Sequence, residues 1–392
     1  MDNHSLISRA NQVLMNTYAR FPLVLTRGEG AWVWDAEGKK YLDLVAGIAV
    51  NVLGHSHPRL LKALSGQAKD LIHVSNLYYN LPMIELAEAL TKASFADKAF
   101  FCNSGAEANE GAVKLARKYF KKKGMPERFR VIAMKNSFHG RTMAMISATG
   151  QEKVKKGFEP LVEGFSHVAY GDLEALKAAI GPETAAVLLE LVQGEGGVVF
   201  VSDDYLKGVR RLCDEKQVLL IYDEVQTGVG RTGKLFAYEH SGIAPDIMTL
   251  AKGLAGGVPI GAFLAKEAVA QAFEPGDHAA TFGGNALATR VGLEVLKLLN
   301  EELLKNCREV GAYFLEALKG LQKRHPNIVE VRGQGLMIGM ELKGPGKEIV
   351  TQAMEKGLLL NCTQEKVLRF VPPLILSRSD ADFAIGILDQ LL

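Results

Sequence analysis

Val218-Leu219-Leu220-Ile221-Tyr222-Asp223-Glu224-Val225-Gln226-Thr227-Gly228 reads as a buried strand that ends in a carboxylate. Its first five residues are apolar or aromatic with no turn former, the pattern of a strand covered on both faces. A second apolar run, Ile247-Met248-Thr249-Leu250-Ala251, delivers Lys252 into the glycine-rich stretch 253–261. Further runs at 98–101, 131–134, 186–192 and 261–265 alternate with helical patterns. Strands separated by helices imply right-handed crossovers and a mostly parallel sheet, so the fold class is α/β.

Working outward, the pattern changes at both ends. Residues 30–43 alternate aromatic and polar side chains about an acidic glycine turn, which predicts a hairpin. A long amphipathic helix, 286–299, leads into a helix, strand and helix region, with strands expected at 333–342 and at 368–374, the latter stopped by prolines. The expected organisation is an N-terminal segment with its hairpin (1–54) packing with the small domain, a large domain (55–285) and a smaller C-terminal α+β domain (286–392).

Length and composition bound the function. A chain of 392 residues with 48% apolar content has ample core for two domains. A formal net charge of +2, with both signs spread along the chain, gives no support for nucleic-acid binding. No apolar run approaches a membrane span, and the first twenty residues lack the pattern of a signal peptide. Cys102, Cys213, Cys307 and Cys362 have neither disulfide-framework nor zinc spacing, so a cytoplasmic location is expected.

Several segments could carry chemistry. A buried acid, Asp223, followed at the next strand end by Lys252 suits pyridoxal phosphate chemistry: the acid holds the cofactor's ring nitrogen protonated and the lysine bonds to its aldehyde carbon. Ser104-Gly105-Ala106-Glu107 follows a strand and opens a helix. It fits a capping box and leaves backbone N–H groups for a phosphate, although it is equally an ordinary helix cap. Phe138 could stack on a ring and Arg141 could grip a carboxylate; taken alone they are a core aromatic and a solvated charge. Glu190 and Glu195 flank the end of another strand, in a glycine-rich loop. Adjacent strand residues face opposite ways, so Asp223 and Glu224 would not readily share a metal. His55 and His57 lack evident further ligands, and no metal is expected.

In this order the motifs resemble the class III (subgroup II) pyridoxal-phosphate aminotransferases. They are 47–51 (GIAVN), 54–58 (GHSHP), 75–80 (SNLYYN), 103–109 (NSGAEAN), 137–142 (SFHGRT), 193–197 (QGEGG), 223–228 (DEVQTG), Lys252-Gly253, 281–285 (TFGGN) and 368–370 (LRF). The resemblance covers nearly the whole chain. It implies the fold type I of pyridoxal-phosphate-dependent transferases and a ping-pong exchange of amino groups. Lys252 and Asp223 would be catalytic, and Ser104, Gly105 and Ala106 would cradle the phosphate. Phe138 and Val225 would enclose the ring and Gln226 would meet its hydroxyl. Thr281 would reach the phosphate in a neighbouring subunit, which implies a homodimer with shared sites. Arg141 would hold the distal carboxylate of the substrate and Arg369 the carboxylate beside the reacting carbon, with Glu195 covering Arg369 when the donor has none there. The motif wording favours N2-acetylornithine as donor and 2-oxoglutarate as acceptor, giving glutamate. Residues 47–48 carry no tyrosine, which leaves room for an acylated substrate. Ornithine, succinyl-diaminopimelate, 4-aminobutyrate and acetyl-lysine are the rival donors; an aminomutase, a decarboxylase and a non-catalytic binding protein are the rival classes.

Overall fold

The structure, a computed structural model, describes residues 2–299 and 301–392. The chain divides into two compact units, one running from Arg59 to Lys305 and the other joining the segment that ends at Pro58 to Asn306–Leu392.

The larger unit is built on seven strands: β1 (Lys98–Cys102), β2 (Arg130–Met134), β3 (Phe165–Val168), β4 (Thr184–Leu189), β5 (Leu219–Asp223), β6 (Ile247–Leu250) and β7 (Gly261–Ala265). Their order is β1-β7-β6-β5-β4-β2-β3. Strand β7 runs antiparallel to both its neighbours and the remaining pairs are parallel. The unit's principal helices are α1 (Leu81–Ala93), α2 (Gly105–Lys122), α3 (Asp203–Lys216) and α4 (Ala286–Leu298).

The core follows from the strand period of two. Val131 and Ala133 of β2, Ala186 and Leu188 of β4, Leu219 and Ile221 of β5, Ile247 of β6 and Phe263 of β7 lie on one face. Against them α2 places Ala112, Leu115, Ala116 and Phe120. Each fully buried Val, Leu, Ile or Phe among them contributes roughly 1.5–3 kcal/mol. The approach of helix and sheet is close: a Cβ on Gly111 would lie 2.3 Å from the Phe263 ring. All six residues of β4 are buried, as expected of a central strand covered on both faces.

In the second unit, strands Leu25–Glu29, Trp32–Asp35 and Lys40–Asp43 form a sheet completed by Leu358–Leu359. Asp35 ties the expected hairpin by accepting hydrogen bonds from the backbone of Glu37 and Lys39 and from the Tyr41 hydroxyl. A second sheet is ordered Ile328–Gln334, Met337–Leu342, Val367–Phe370, Asn361–Thr363.

Three details differ from the sequence reading. The 333–342 stretch is two antiparallel strands that reverse at Gly335, whose φ of 57° suits glycine. Edge strand β3 escapes prediction because Phe165-Ser166-His167-Val168 is short and mixed, and it pairs with β2 alone. The units divide after residues 58 and 305 rather than 54 and 285, because α4 packs on α1 and on residues 252–255 of the larger unit. Among the described residues no helix is long and apolar enough to cross a membrane.

Candidate active site

Asp223 closes β5 and Lys252 follows β6, its parallel neighbour, so both stand at the carboxyl ends of adjacent strands. That end of an open α/β sheet is where ligands bind. Asp223 is 4% exposed. Its Oδ2 accepts hydrogen bonds from Asn109 Nδ2 and from His139 Nδ1, each at 2.8 Å, and its Oδ1 accepts from the backbone N–H of Val225 at 3.0 Å. His139 therefore carries its proton on Nδ1, and its buried Nε2 has no hydrogen-bond partner among the described residues. Asn109 also donates to the His139 carbonyl at 2.9 Å and accepts from the Thr249 hydroxyl at 2.8 Å. Two elements thus converge on the acid, α2 and the loop after β2.

Lys252 has φ 43°, a left-handed backbone costing a non-glycine residue about 1–3 kcal/mol. It opens a single 3₁₀ turn, Lys252–Ala255, in which Gly253, Leu254 and Ala255 are buried. Packing of that turn holds the lysine in its unusual backbone state.

The neighbouring acids behave differently. Glu190, just past β4, accepts a hydrogen bond from the Phe138 backbone N–H at 3.0 Å. Burial, then the charge of Asp223, push its carboxyl well above the ordinary range, and the Phe138 N–H, then Lys252, draw it partly back. Glu224 turns away from Asp223 and accepts from the backbone N–H groups of Ala237 and Tyr238 at 2.6 and 2.8 Å; burial pushes it up to about 8. The Asp223–Glu224 pair is thus divided between two sets of partners. His55 pairs with Asp43 at 2.9 Å. Among the described residues no group of three or more His, Cys, Asp or Glu could hold a metal ion.

Ser104 caps α2, its hydroxyl accepting from the Glu107 N–H at 3.2 Å. The Glu107 carboxylate reaches the N–H of Asn103, not that of Ser104, so the expected capping box is displaced by one residue. The N–H groups of Gly105 and Ala106 fall in the first turn, where intrahelical acceptors are absent and the helix dipole is positive. Val225 packs so closely on this turn that a Cβ on Gly105 would lie 2.7 Å from it. The Gln226 side chain packs likewise on Gly194. The Arg141 guanidinium stands 5.4 Å from the Phe138 ring centre. Gly140, between them, abuts Ala106.

The structure therefore gathers Ser104, Gly105, Ala106, Phe138, Arg141, Asp223, Val225 and Gln226 about the strand ends, with Lys252 beside them. Thr281 lines a cavity of about 330 Å³ with Asn103, Glu107, Glu110 and His278. Asn76 and Asn80 hold its loop by donating to the carbonyls of Gly283 and Gly284. Glu195 is half-buried between the paired strands Val192–Gln193 and Val199–Phe200. Arg369 belongs to the other unit, fully buried on Val367–Phe370 beside Asn361, whose Oδ1 lies 3.4 Å from Arg369 Nε.

His139, Asn109 and Thr249 lie inside the quoted stretches, yet sequence reasoning assigns them no role. One signal was available. Asn109 is a polar residue on the stripe of α2 that otherwise buries Ala108, Ala112 and Ala116, and a buried amide requires partners.

The family model for class-III aminotransferases matches residues 13–392. The chain is 54% identical over 389 residues to the acetylornithine aminotransferase of Caldanaerobacter subterraneus subsp. tengcongensis, covering 99% of each chain. It is 51% identical to that of Methanocaldococcus jannaschii, covering 100% of this chain and 98% of the relative. Among solved structures, N-acetylornithine aminotransferase from Stenotrophomonas maltophilia K279a superposes with a TM-score of 0.85 at 38% identity, over 98% of each chain. An ornithine aminotransferase from Toxoplasma gondii, with pyridoxal phosphate at partial occupancy in its active site, gives 0.96 at 35% identity over 100% of this chain and 94% of that one. The chain belongs to the class-III aminotransferases.

Proposed function

We propose that the chain transfers the terminal amino group of N2-acetyl-L-ornithine to 2-oxoglutarate, giving N-acetylglutamate 5-semialdehyde and glutamate, a step of arginine biosynthesis, with pyridoxal 5′-phosphate as cofactor. The carrying observation is the buried Asp223, held by Asn109 and His139 one strand away from the strained Lys252. Relatives named for this activity, about half identical over essentially the whole chain, support the choice of donor.

The residues present fit the cofactor. The first turn of α2, with Ser104, Gly105 and Ala106, offers N–H groups to a phosphate. Phe138 and Val225 offer apolar surface to a ring, Gln226 an amide to its hydroxyl and Asp223 a carboxylate to its nitrogen. Pyridoxal phosphate supplies, when bound, the electron-withdrawing ring that lets a proton leave the carbon bearing the amine. The chain does the rest. Lys252 would hold the cofactor, and its Nζ, when free, would take the proton from the substrate's reacting carbon and give it back. Asp223 keeps the ring nitrogen protonated. Arg141 binds the distal carboxylate. Arg369 binds the carboxylate beside the reacting carbon of glutamate, and Glu195 neutralises that arginine when acetylornithine, lacking such a carboxylate, is the donor. Thr281 serves the phosphate of a second copy, making the working form a homodimer in the cytoplasm.

The test is a donor panel on purified protein loaded with pyridoxal phosphate. N2-acetylornithine is expected to bleach the cofactor's visible absorption, 2-oxoglutarate to restore it, and glutamate to accumulate. Faster turnover with ornithine, 4-aminobutyrate or succinyl-diaminopimelate would replace the donor. No glutamate from any amine would remove the reading.

A further inference from the structure

Asp223 Oδ2 is met by two donors, and one of them, Asn109, does not titrate. Asn109 is 1% exposed. Its amide is held in one sense: Nδ2 faces the Asp223 carboxylate and the His139 carbonyl, and Oδ1 faces the Thr249 hydroxyl. Turning it over would set its oxygen against two acceptors. Thr249 is itself buried and is the β6 residue paired with Asp223 in the sheet register. A continuous chain of side-chain hydrogen bonds thus runs from Thr249 through Asn109 to Asp223, both links 2.8 Å long.

Packing alone does not call for this chain, because apolar side chains would fill the same space between α2 and β6. A buried polar network whose members are satisfied gains in directional precision what it loses in desolvation. Here the gain falls on the plane of one carboxylate. We infer that Asn109, oriented by Thr249, is a positioning residue that aligns Asp223 toward the cofactor; the inference rests on the role proposed for Asp223 above.

The test compares the dissociation constant of pyridoxal phosphate, measured by titrating the cofactor-free protein, in Thr249→Val, Thr249→Ser, Asn109→Leu and Asp223→Asn, with thermal unfolding confirming that each is folded. Valine keeps the shape of threonine and loses the hydroxyl; serine keeps the hydroxyl and loses a methyl. Alignment through the hydroxyl predicts that Thr249→Val and Asn109→Leu bind roughly tenfold more weakly, the loss expected for a hydrogen bond to a charged group. Thr249→Ser should stay within about twofold of wild type by the same reasoning. A purely structural role predicts the reverse order, serine worse than valine, and that order overturns the inference, as does wild-type affinity in Asn109→Leu. Wild-type affinity in Asp223→Asn would overturn the reading of Asp223 itself, a separate failure.

Discussion

Asp223 and Glu224 are consecutive acids with opposite surroundings. Asp223 faces the strand ends, where side chains from α2 and the loop after β2 donate to it. Glu224 faces the backbone of Ala237 and Tyr238, which hold its two oxygens inside the protein. The alternation of side chains at the strand's end turns one acid toward α2 and the loop after β2 and the other toward the backbone it ties. A buried acid is therefore not a catalytic acid by burial alone; the partners decide. Glu190 makes the same point, since its hydrogen bond to the Phe138 backbone fixes the loop that carries Phe138 and Arg141.

Substitutions should separate the two kinds of acid, beginning with Lys252 at the neighbouring strand end. Lys252→Ala should lower turnover roughly 10²–10⁴-fold or more in steady-state assays, the range lost with a positioned acid or base, while leaving the cofactor-free fold intact. Asp223→Asn should lower the rate of the first half-reaction roughly 10²–10³-fold, the scale of losing one preorganised electrostatic contact. Glu224→Gln should act on stability instead. The ordinary value for this acid is 4.5 and the folded value is about 8. As pH rises between these values, the unfolded chain releases a proton that the folded chain keeps, so stability falls through this window and levels off above it. Thermal midpoints from pH 5 to 8 should therefore decline in wild type, and the decline should be shallower in Glu224→Gln. Ser104→Ala should show the smallest effect, about 1 kcal/mol of stability from the lost helix cap in denaturant unfolding.

Sequence made the sheet legible where strands are buried on both faces. Thr184–Leu189 and Leu219–Asp223 read as unbroken β-rich runs because nothing on them meets water. Phe165–Val168 did not, since an edge strand needs only one paired side and carries no such run. The 333–342 region read as one strand because a two-residue reversal at Gly335 interrupts the apolar pattern too briefly to register. In the site, the strand-end residues Asp223 and Lys252 were legible from their place after apolar runs. Asn109, His139 and Thr249 were not, because their importance lies in contacts between α2, a loop and β6, remote from one another in sequence. The left-handed backbone of Lys252 was equally hidden, being a property of the packed turn and not of the residue type.

The most direct test of this division of labour is the dissociation constant of pyridoxal phosphate for Asp223→Asn and Glu224→Gln, measured side by side on cofactor-free protein. On this division of labour Asp223→Asn should bind roughly tenfold or more weakly, as expected when a charge-assisted hydrogen bond is lost, and Glu224→Gln close to wild type. Equal weakening in both, or wild-type binding by Asp223→Asn, would contradict it.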